Sequence, residues 1–304
     1  MINKDPVPLA PSSFQKPVSK IDCHTHLRKA KGFNVFTPEE RIEFNEVMDI
    51  SHCVIQTVEK PTENFSEKER LADPRIFAED AVEICKKHKK HFSWFANIIP
   101  DGTNETYKRL KIYKNLGAKG VGELAVPLYF NNPKMEHLIE CCMDLELPLL
   151  THMNDILTNK GIVDEEGLVY LEKALKKYPK FIYIGHSQPF WVEIAQYTGD
   201  RNAYQPGNVK PGKLIELFNN YENLYGDLSA NSGGNAILRD ADFGIEFLDK
   251  YQDKLLYGTD TLSKNMHYPL GAYLDSLLGQ KKITREAYAK ICNENAVKLL
   301  NLDV

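Results

Sequence analysis

The chain has 304 residues, a formal net charge of −4 and a pI near 6.2. This charge gives no reason to expect a nucleic-acid or anionic-membrane partner. No apolar run reaches the roughly 20 residues needed to cross a bilayer, and residues 1–20 lack the apolar stretch of a secretory signal. The six cysteines are scattered without C-x-x-C spacing, which favours buried thiols over disulfides. We therefore expect a cytoplasmic protein of one domain, residues 1–304, with residues 1–18 as an N-terminal arm.

Eight short segments rich in β-branched and aromatic residues alternate with helical patterns along the chain. Several of them are apolar nearly throughout, as strands covered on both faces should be. The predicted strands are Ile21–His26, Cys53–Val58, Phe92–Ile99, Gly120–Leu124, Leu149–His152, Phe181–His186, Leu224–Leu228 and Leu255–Thr259.

Amphipathic segments follow these strands. The first begins at Thr37, a predicted N-cap, with Pro38 at the first helical position and two glutamates in the first turn. The others are Asp73–His88, Asn104–Leu116, Lys134–Leu145, Glu165–Tyr178, Gly212–Tyr221, Ala236–Tyr251 and Thr284–Leu300. This alternation predicts a parallel sheet, and closure into a (β/α)₈ TIM barrel is the economical arrangement. An open doubly wound sheet is the alternative, but no glycine-rich phosphate loop follows the first strand.

The first strand ends in two histidines, His24 and His26, one residue apart. Side chains at i and i+2 of a strand lie on one face, so both imidazoles can reach one metal ion. Cys23 alternates with them and is predicted to face away from the site, into the layer between strands and helices.

Four later strands also end in residues that bind metal: Glu123, His152, His186 and Asp260. Each of these residues alone has an ordinary structural explanation, such as a salt bridge or a helix cap. Together with His24 and His26 they would converge on one mouth of the barrel, where barrel active sites lie. Imidazole and carboxylate ligands without a thiolate suit Zn²⁺, Mn²⁺, Fe²⁺ or Co²⁺. Such an ion activates water at neutral pH, and Asp260 could orient that water and move its proton.

Residues in the loops after these strands are candidates for substrate binding. Arg28 could clamp a substrate carboxylate, with a surface arginine as the alternative. The segment Tyr197–Lys210 is predicted to be a loop over the mouth and a candidate lid. Further candidates to line the pocket are Asn154, Asp155, Gln188, Phe190, Trp191 and His267. The remaining histidines are predicted at the surface: His52, His88, His91 and His137.

The ordered set of strand-end residues resembles the amidohydrolase superfamily of metal-dependent TIM-barrel enzymes. The resemblance rests on the His-x-His pair, on His152 and His186, and on Asp260. It spans Ile21–Leu300, and the closing segment, residues 291–300, is similar to the last helix of the amidohydrolase-2 branch. The motif set is specific for the superfamily and does not name a substrate.

The resemblance implies two versions of the site. In the one-ion version, similar to the aminocarboxymuconate-semialdehyde decarboxylase group, His24, His26, His152 and Asp260 hold the ion and His186 is an acid/base. In the two-ion version, similar to TatD-like hydrolases, Glu123 bridges two ions and His152 and His186 hold the second. Many relatives carry a carbamylated lysine at the position of Glu123.

Three functional hypotheses follow. The first is a hydrolase in which activated water attacks an ester, lactone, amide or phosphoester, with Asp260 and His186 as catalytic residues. The second is a non-oxidative decarboxylase of an aromatic or dienoic acid, and the third is a metal-binding barrel without activity. We expect a small-molecule substrate, one or two divalent ions with Zn²⁺ ahead of Mn²⁺, and no nucleic-acid or membrane partner. Similar barrels are commonly homo-oligomers, and the sequence leaves that state open.

Overall fold

Nine strands run through the computed structural model, which describes residues 15–29, 35–60, 66–157, 160–196, 199–263, 265–266 and 268–304. Each of the eight predicted strands coincides with one of them, and the additional strand is the short β6. In chain order they are β1 Lys20–Thr25, β2 Ile50–Gln56, β3 Phe92–Phe95, β4 Val121–Leu124, β5 Leu149–Asn154, β6 Ile162–Val163, β7 Tyr183–His186, β8 Leu224–Asp227 and β9 Leu255–Leu256.

The helices in the same part of the chain begin with α1, whose N-cap Thr37 forms the predicted capping box with Glu40. The predicted helix Ala236–Tyr251 is two helices, because the carboxylate of Asp240 accepts from Phe243 N and starts a new helix there. The α-helices are α1 Pro38–Met48, α2 Glu67–Ala72, α3 Ala78–Lys87, α4 Asn104–Asn115, α5 Pro133–Asp144, α6 Val169–Lys177, α7 Gln188–Trp191, α8 Lys213–Asn220, α9 Ala230–Leu238, α10 Ala241–Lys250, α11 Leu270–Gly279, α12 Arg285–Ala289 and α13 Asn295–Leu300. Short 3₁₀ turns lie at Val192–Ile194 and Gln252–Lys254, and a π-helical turn at Lys290–Glu294.

The strands close into a barrel. Parallel pairing joins β1, β2 and β3 in one set and β4, β5, β7, β8 and β9 in the other, with β6 beside β5. Hydrogen bonds of 2.9 Å from Ala96 N to Gly120 O and from Gly122 N to Ala96 O join β3 to β4. At the other seam, Cys23 N donates to Tyr257 O at 3.0 Å and Asp260 N to His24 O at 2.8 Å. The predicted (β/α)₈ barrel is confirmed, and its carboxyl-end mouth gathers the strand-end residues.

A small apolar cluster fills the inside of the barrel below the mouth. Residues from six different strands can meet only in the interior of the barrel. The members of this cluster come from six strands and from the C-terminal segment: Ile21, Cys23, Val54, Phe95, Leu150, Ile184, Leu256, Ala296, Leu300 and Leu302. The prediction that Cys23 faces the helices is therefore wrong. The pairing of β1 with β2 is irregular between Asp22 and Thr25, which breaks the strict alternation of side chains on which that prediction depended.

The larger apolar core lies between the strands and the helices, and it includes Trp94, Trp191 and Tyr183. All six cysteines are free thiols, five of them buried, as predicted. The prediction that His52 lies at the surface is wrong: its side chain is buried in β2, where its ring nitrogens contact Lys90 O and Ser93 Oγ at 3.1 Å.

The predicted N-terminal arm lies mostly outside the described residues. Of its described part, Val18 packs on the core and Lys16 forms ion pairs with Asp49 and Asp275. Across the part of the chain that the structure covers, every helix is too short or too polar to traverse a bilayer.

Candidate metal centre

All six predicted metal ligands meet at the carboxyl ends of the strands. His24 and His186 are almost fully buried, while His26, Glu123, His152 and Asp260 are partly open to the mouth. Three overlapping groups of side chains could each hold an ion: His24 with His26 and Glu123, His24 with His186 and Asp260, and Glu123 with His152 and His186.

The first donor set consists of His24 Nε2, His26 Nε2, Glu123 Oε2 and Asp260 Oδ1. The two imidazole nitrogens are 3.2 Å apart. Glu123 Oε2 lies 3.6 and 3.4 Å from them, and Asp260 Oδ1 lies 3.7 and 3.3 Å from them. Ligands at about 2.0–2.1 Å around a tetrahedral ion are separated by roughly 3.4 Å. These five separations match those between ligands of one ion, although none of the metal-binding groups among the described residues contains both Glu123 and Asp260.

The second donor set consists of Glu123 Oε1, His152 Nδ1 and His186 Nε2. Glu123 Oε1 lies 2.7 Å from His152 Nδ1 and 3.4 Å from His186 Nε2. Glu123 thus turns one oxygen to each donor set. Among the described residues, no metal-binding group unites His152 with His24 or Asp260. The ligand set of the one-ion version therefore stays a prediction.

Asp227, at the end of β8, supports both donor sets and was missed in the sequence. Its Oδ2 lies 2.7 Å from His24 Nδ1 and 3.0 Å from His186 Nδ1, and its side chain is fully buried. Ionised carboxylates only accept hydrogen bonds, so each imidazole carries a proton on Nδ1 and, when it is neutral, turns an Nε2 lone pair into the site. The sequence did contain a signal for this residue, because Asp227 stands at the end of a strand as the predicted ligands do.

The electrostatics of the cluster fit a cation. Burial opposes the charged form of His26, but its contacts with Asp260 and Glu123 raise its pKa to about 9. Burial also opposes the charge of His24, yet Asp260 and Asp227 raise the pKa of that imidazole well above its ordinary value. In return, the histidines hold the pKa values of Glu123, Asp227 and Asp260 below their usual range despite burial. Protons thus balance the carboxylates of the metal-free cluster, and a divalent cation can take their place.

Asp22 holds the Asp260 loop against β1. Its carboxylate accepts from Thr259 N at 2.9 Å, from Thr259 Oγ1 at 2.6 Å and from His24 N at 3.1 Å. Arg41 from α1 forms a fully buried ion pair with the same carboxylate. One buried carboxylate therefore fixes the backbone beside two predicted ligands, His24 and Asp260.

The candidates for substrate binding are placed differently from one another. The backbone of Arg28 forms an isolated antiparallel β-bridge with Arg75. Burial and the charge of Arg75 lower the pKa of Arg28, whereas Asp73 raises it. The charged neighbours of Arg28 are therefore not the metal-site carboxylates. The amide of Asn154 donates to Lys160 O within its own loop. The prediction for Trp191 needs correction, because its ring is buried in the core. His267 lies outside the described residues.

Trp191 and its neighbours support the site from below. The Trp191 indole packs against Phe190 and Phe247, and its Nε1 donates to Asp227 O at 2.9 Å. Phe190 is also fully buried, under Gly185, where a Cβ would lie 2.1 Å from its ring. The short helix after β7 turns both rings inward, so neither lines the pocket.

Part of the predicted lid lies at the mouth in a fixed position. Residues 197–198 lie outside the described residues. Beyond them, Gln188 Nε2 donates to Ala203 O at 2.9 Å, and Arg239 Nη1 donates to Gln205 O at 3.2 Å. Tyr204 stands between these anchors, half-exposed. Burial and the charge of Asp260 raise its pKa, which places it near the mouth carboxylate.

The chain belongs to the amidohydrolase family. A model of the amidohydrolase-2 branch, described as Amidohydrolase, matches residues 21–302. No curated protein matches the chain.

Solved structures share the barrel at low sequence identity. The chain is similar to 5-carboxyvanillate decarboxylase of Novosphingobium aromaticivorans, whose structure contains manganese, with a TM-score of 0.62, 13% identity and coverage of 94% and 98% of the two chains. It is similar to 2,6-dihydroxybenzoate decarboxylase from Rhizobium, with a TM-score of 0.59, 17% identity and coverage of 94% and 100%. It is also similar to a TIM-barrel protein of Bordetella bronchiseptica, with a TM-score of 0.60, 18% identity and coverage of 93% and 98%. At these identities the similarity establishes the fold alone.

Proposed function

We propose that this chain is a hydrolase that uses two divalent ions. The observation that carries the proposal is the placement of Glu123, whose two oxygens face different histidines. A carboxylate placed in this way can bridge two ions about 3.5–4 Å apart. Because the donor sets meet at Glu123, the six side chains suit two ions that share one bridging ligand.

The charge of the site supports the same assignment. Three carboxylates, those of Glu123, Asp227 and Asp260, are enclosed with neutral imidazoles when ions are bound. One divalent ion leaves one negative charge in excess, whereas two leave one positive charge in excess. A negative site would repel the carboxylate of an acid substrate, since charges interact strongly where water is scarce. This argument favours two ions over one.

When bound, the ions would polarise a carbonyl or phosphoryl oxygen and lower the pKa of a coordinated water. Asp260 is placed to handle the proton, because its carboxylate belongs to the first donor set and 27% of its side chain is exposed at the mouth. In the metal-free cluster burial opposes its charge, but His24 and His26 hold its pKa low. Bound cations would take over that role from the charged histidines, and an ionised carboxylate can accept a proton. It would then return that proton to the leaving group.

His186 suits the role of a ligand in this proposal. It was also a candidate acid/base, but its side chain is 2% exposed and Asp227 engages its Nδ1. Its Nε2 points to Glu123, not to the open mouth. Asp260 therefore remains the candidate base.

The loops around the mouth favour a substrate with an apolar body. Tyr129 after β4 is 49% exposed, and Ile156 and Leu157 after β5 are 60% and 52% exposed. Exposed apolar side chains beside a polar centre are typical of ligand sites. We propose an ester, lactone, amide or phosphoester of an aromatic or aliphatic compound as the substrate, and Zn²⁺ as the ion with Mn²⁺ as the alternative.

Product analysis in ¹⁸O-labelled water tests the reaction class. Protein loaded with Zn²⁺ or with Mn²⁺ is incubated with aryl esters, lactones, amides, phosphoesters and aromatic carboxylic acids. We expect a hydrolytic product that carries one solvent oxygen. Carbon dioxide released from an acid, without solvent oxygen in the product, would overturn the hydrolase assignment.

Decarboxylation of an aromatic acid is the second candidate. It is favoured by the similar structures, since two of them are of decarboxylases and one of these contains manganese. In that reaction Asp260 would protonate the substrate carbon, and one ion would suffice. The same incubation separates the two candidates.

A further inference from the structure

We propose that Asp227 is a positioning residue that sets the tautomers of His24 and His186 together and so couples the two donor sets. The inference rests on the proposed two-ion function. His24 belongs to the first donor set and His186 to the second, and the two imidazole rings lie 4.5 Å apart between their centroids. One carboxylate oxygen, Asp227 Oδ2, lies within 3.0 Å of Nδ1 of both rings. Ser229 Oγ lies beside the same nitrogens, 3.1 Å from His186 Nδ1 and 3.4 Å from His24 Nδ1.

The two carboxylate oxygens of Asp227 have different hydrogen-bond partners. Oδ2 lies 2.7 Å from His24 Nδ1 and 3.0 Å from His186 Nδ1, and it also accepts from Ser229 Oγ at 2.7 Å. Oδ1 accepts from the backbone N–H of Ser229 at 2.9 Å. Ser229 donates to Asp227 through both its hydroxyl and its backbone N–H, which suits an ionised carboxylate. Because the hydroxyl hydrogen of Ser229 is directed to Asp227, its oxygen can only accept from the two imidazoles, and both neighbours of each Nδ1 are then acceptors.

The backbone around Asp227 holds the carboxylate in place. Trp191 Nε1 donates to Asp227 O at 2.9 Å, and Leu228 N donates to Leu256 O at 3.0 Å. Gly258 makes room on the neighbouring strand, because a Cβ there would lie 2.6 Å from Asp227 Oδ1. The side chain is fully buried, so solvent does not compete for its oxygens.

A proton on Nδ1 leaves the Nε2 lone pair free to bind a cation. The opposite tautomer would place a hydrogen between Nε2 and the ion and block coordination. Because Asp227 imposes the Nδ1–H tautomer on both rings, its loss affects both donor sets at once. Carboxylates that hold metal-binding histidines in this way are worth about 10- to 100-fold in metal affinity.

Asparagine cannot replace Asp227. If its carbonyl oxygen takes the place of Oδ2, its NH₂ group faces the N–H of Ser229. If its NH₂ group takes the place of Oδ2, it opposes both Nδ1–H groups and favours the blocking tautomer. Asp227→Asn is therefore a change of almost no volume that either sets its NH₂ group against Ser229 N–H or removes the imposed tautomer.

The matched control is Asp164→Asn. Asp164 is also buried and accepts backbone hydrogen bonds, from Tyr170 N at 3.0 Å and Leu171 N at 2.8 Å, but it contacts no residue of the donor sets. Asparagine and aspartate serve similarly at a helix start, so this variant controls for the loss of a buried carboxylate.

The experiment combines calorimetric Zn²⁺ titration of the three proteins with ¹⁵N NMR of the imidazoles in the zinc-loaded wild type. We expect Nδ1–H signals for His24 and His186, and about tenfold or greater loss of affinity at both ion sites in Asp227→Asn, with Asp164→Asn unchanged. A proton on Nε2 of either ring, or weakening of one ion site alone, would overturn the proposal. The NMR measurement needs no variant, so it can overturn the proposal even where Asp227→Asn does not fold.

The outcomes also separate this inference from the proposed function. A wild type that binds no zinc refutes the two-ion function and this inference with it. A wild type that binds two ions, beside an Asp227→Asn protein that matches Asp164→Asn, refutes the role of Asp227 alone.

Discussion

Glu123 and His152 contact each other directly, with Oε1 2.7 Å from Nδ1, while the other oxygen of Glu123 faces His24 and His26. This division of one carboxylate between two groups of histidines makes Glu123 the shared member of the two donor sets. The number of ions bound, and with it the reaction class, depends on this residue.

Glu123→Gln should reduce the bound metal from two ions per chain to one or none. The amide keeps the volume but offers one oxygen and no charge, so it cannot bridge two cations. Elemental analysis after removal of free metal measures this ratio. Glu193→Gln is the matched control, since Glu193 is also buried but pairs with Arg201 away from the site. An unchanged ratio in Glu123→Gln would show that Glu123 does not bridge.

Asp260→Asn should lower kcat for hydrolysis by about 10²–10⁴-fold, the usual contribution of a positioned acid or base. Asparagine can still offer an oxygen to the first donor set, but it cannot accept the proton of the attacking water. Steady-state kinetics on the variant, with its metal content measured in parallel, gives this value. Near wild-type kcat at full metal content would remove Asp260 from the proton transfer.

The metal-free protein should lose stability as the pH rises towards about 9. This loss of stability comes from His26, whose pKa is raised to about 9 by Asp260 and Glu123 in spite of burial. A raised pKa stabilises the folded state fully below the ordinary value near 6.5, and this stabilisation is lost as the pH rises through about 9. Bound ions replace the proton, so the metal-loaded protein should lack this loss.

Thermal denaturation between about pH 6 and pH 10, with chelator and with Zn²⁺, measures the difference. The affinity for metal should rise over the same range, because binding displaces protons. Identical pH dependence of the two forms would contradict the assignment.

Arg41→Met should destabilise the protein by about 3–5 kcal/mol, because it leaves the buried carboxylate of Asp22 without its cation. The matched control is Arg75→Met, whose ion pair with Asp73 is 39% exposed on the arginine side and should cost no more than about 1 kcal/mol. Urea denaturation of the metal-loaded proteins measures both. Equal losses of stability in the two variants would show that the buried Asp22–Arg41 pair contributes no more than the exposed pair does.

The strands and the ligand positions could be predicted because both follow from simple periodicity. Strand residues alternate between faces, and parallel strands of a barrel deliver their ends to one mouth. This reasoning brings His24, His26 and Asp260 together without any knowledge of the structure.

Local departures from that periodicity could not be predicted. The irregular pairing between Asp22 and Thr25 places Cys23 inside the barrel. The short helix after β7 buries Trp191, although loops after strands commonly line pockets. Asp227 was missed because an acid at a strand end has many structural uses, and its two histidine partners lie 203 and 41 positions away in the chain.

The most direct test of the two-ion assignment is the number of ions per chain in the wild-type protein supplied with Zn²⁺ or Mn²⁺, measured by elemental analysis. His24→Ala should lose the ion of the first donor set and weaken the other. His88→Ala, a partly buried residue beside Glu39 that belongs to neither donor set, should bind as the wild type does. We predict two ions per wild-type chain, and a count of one or none would contradict the assignment.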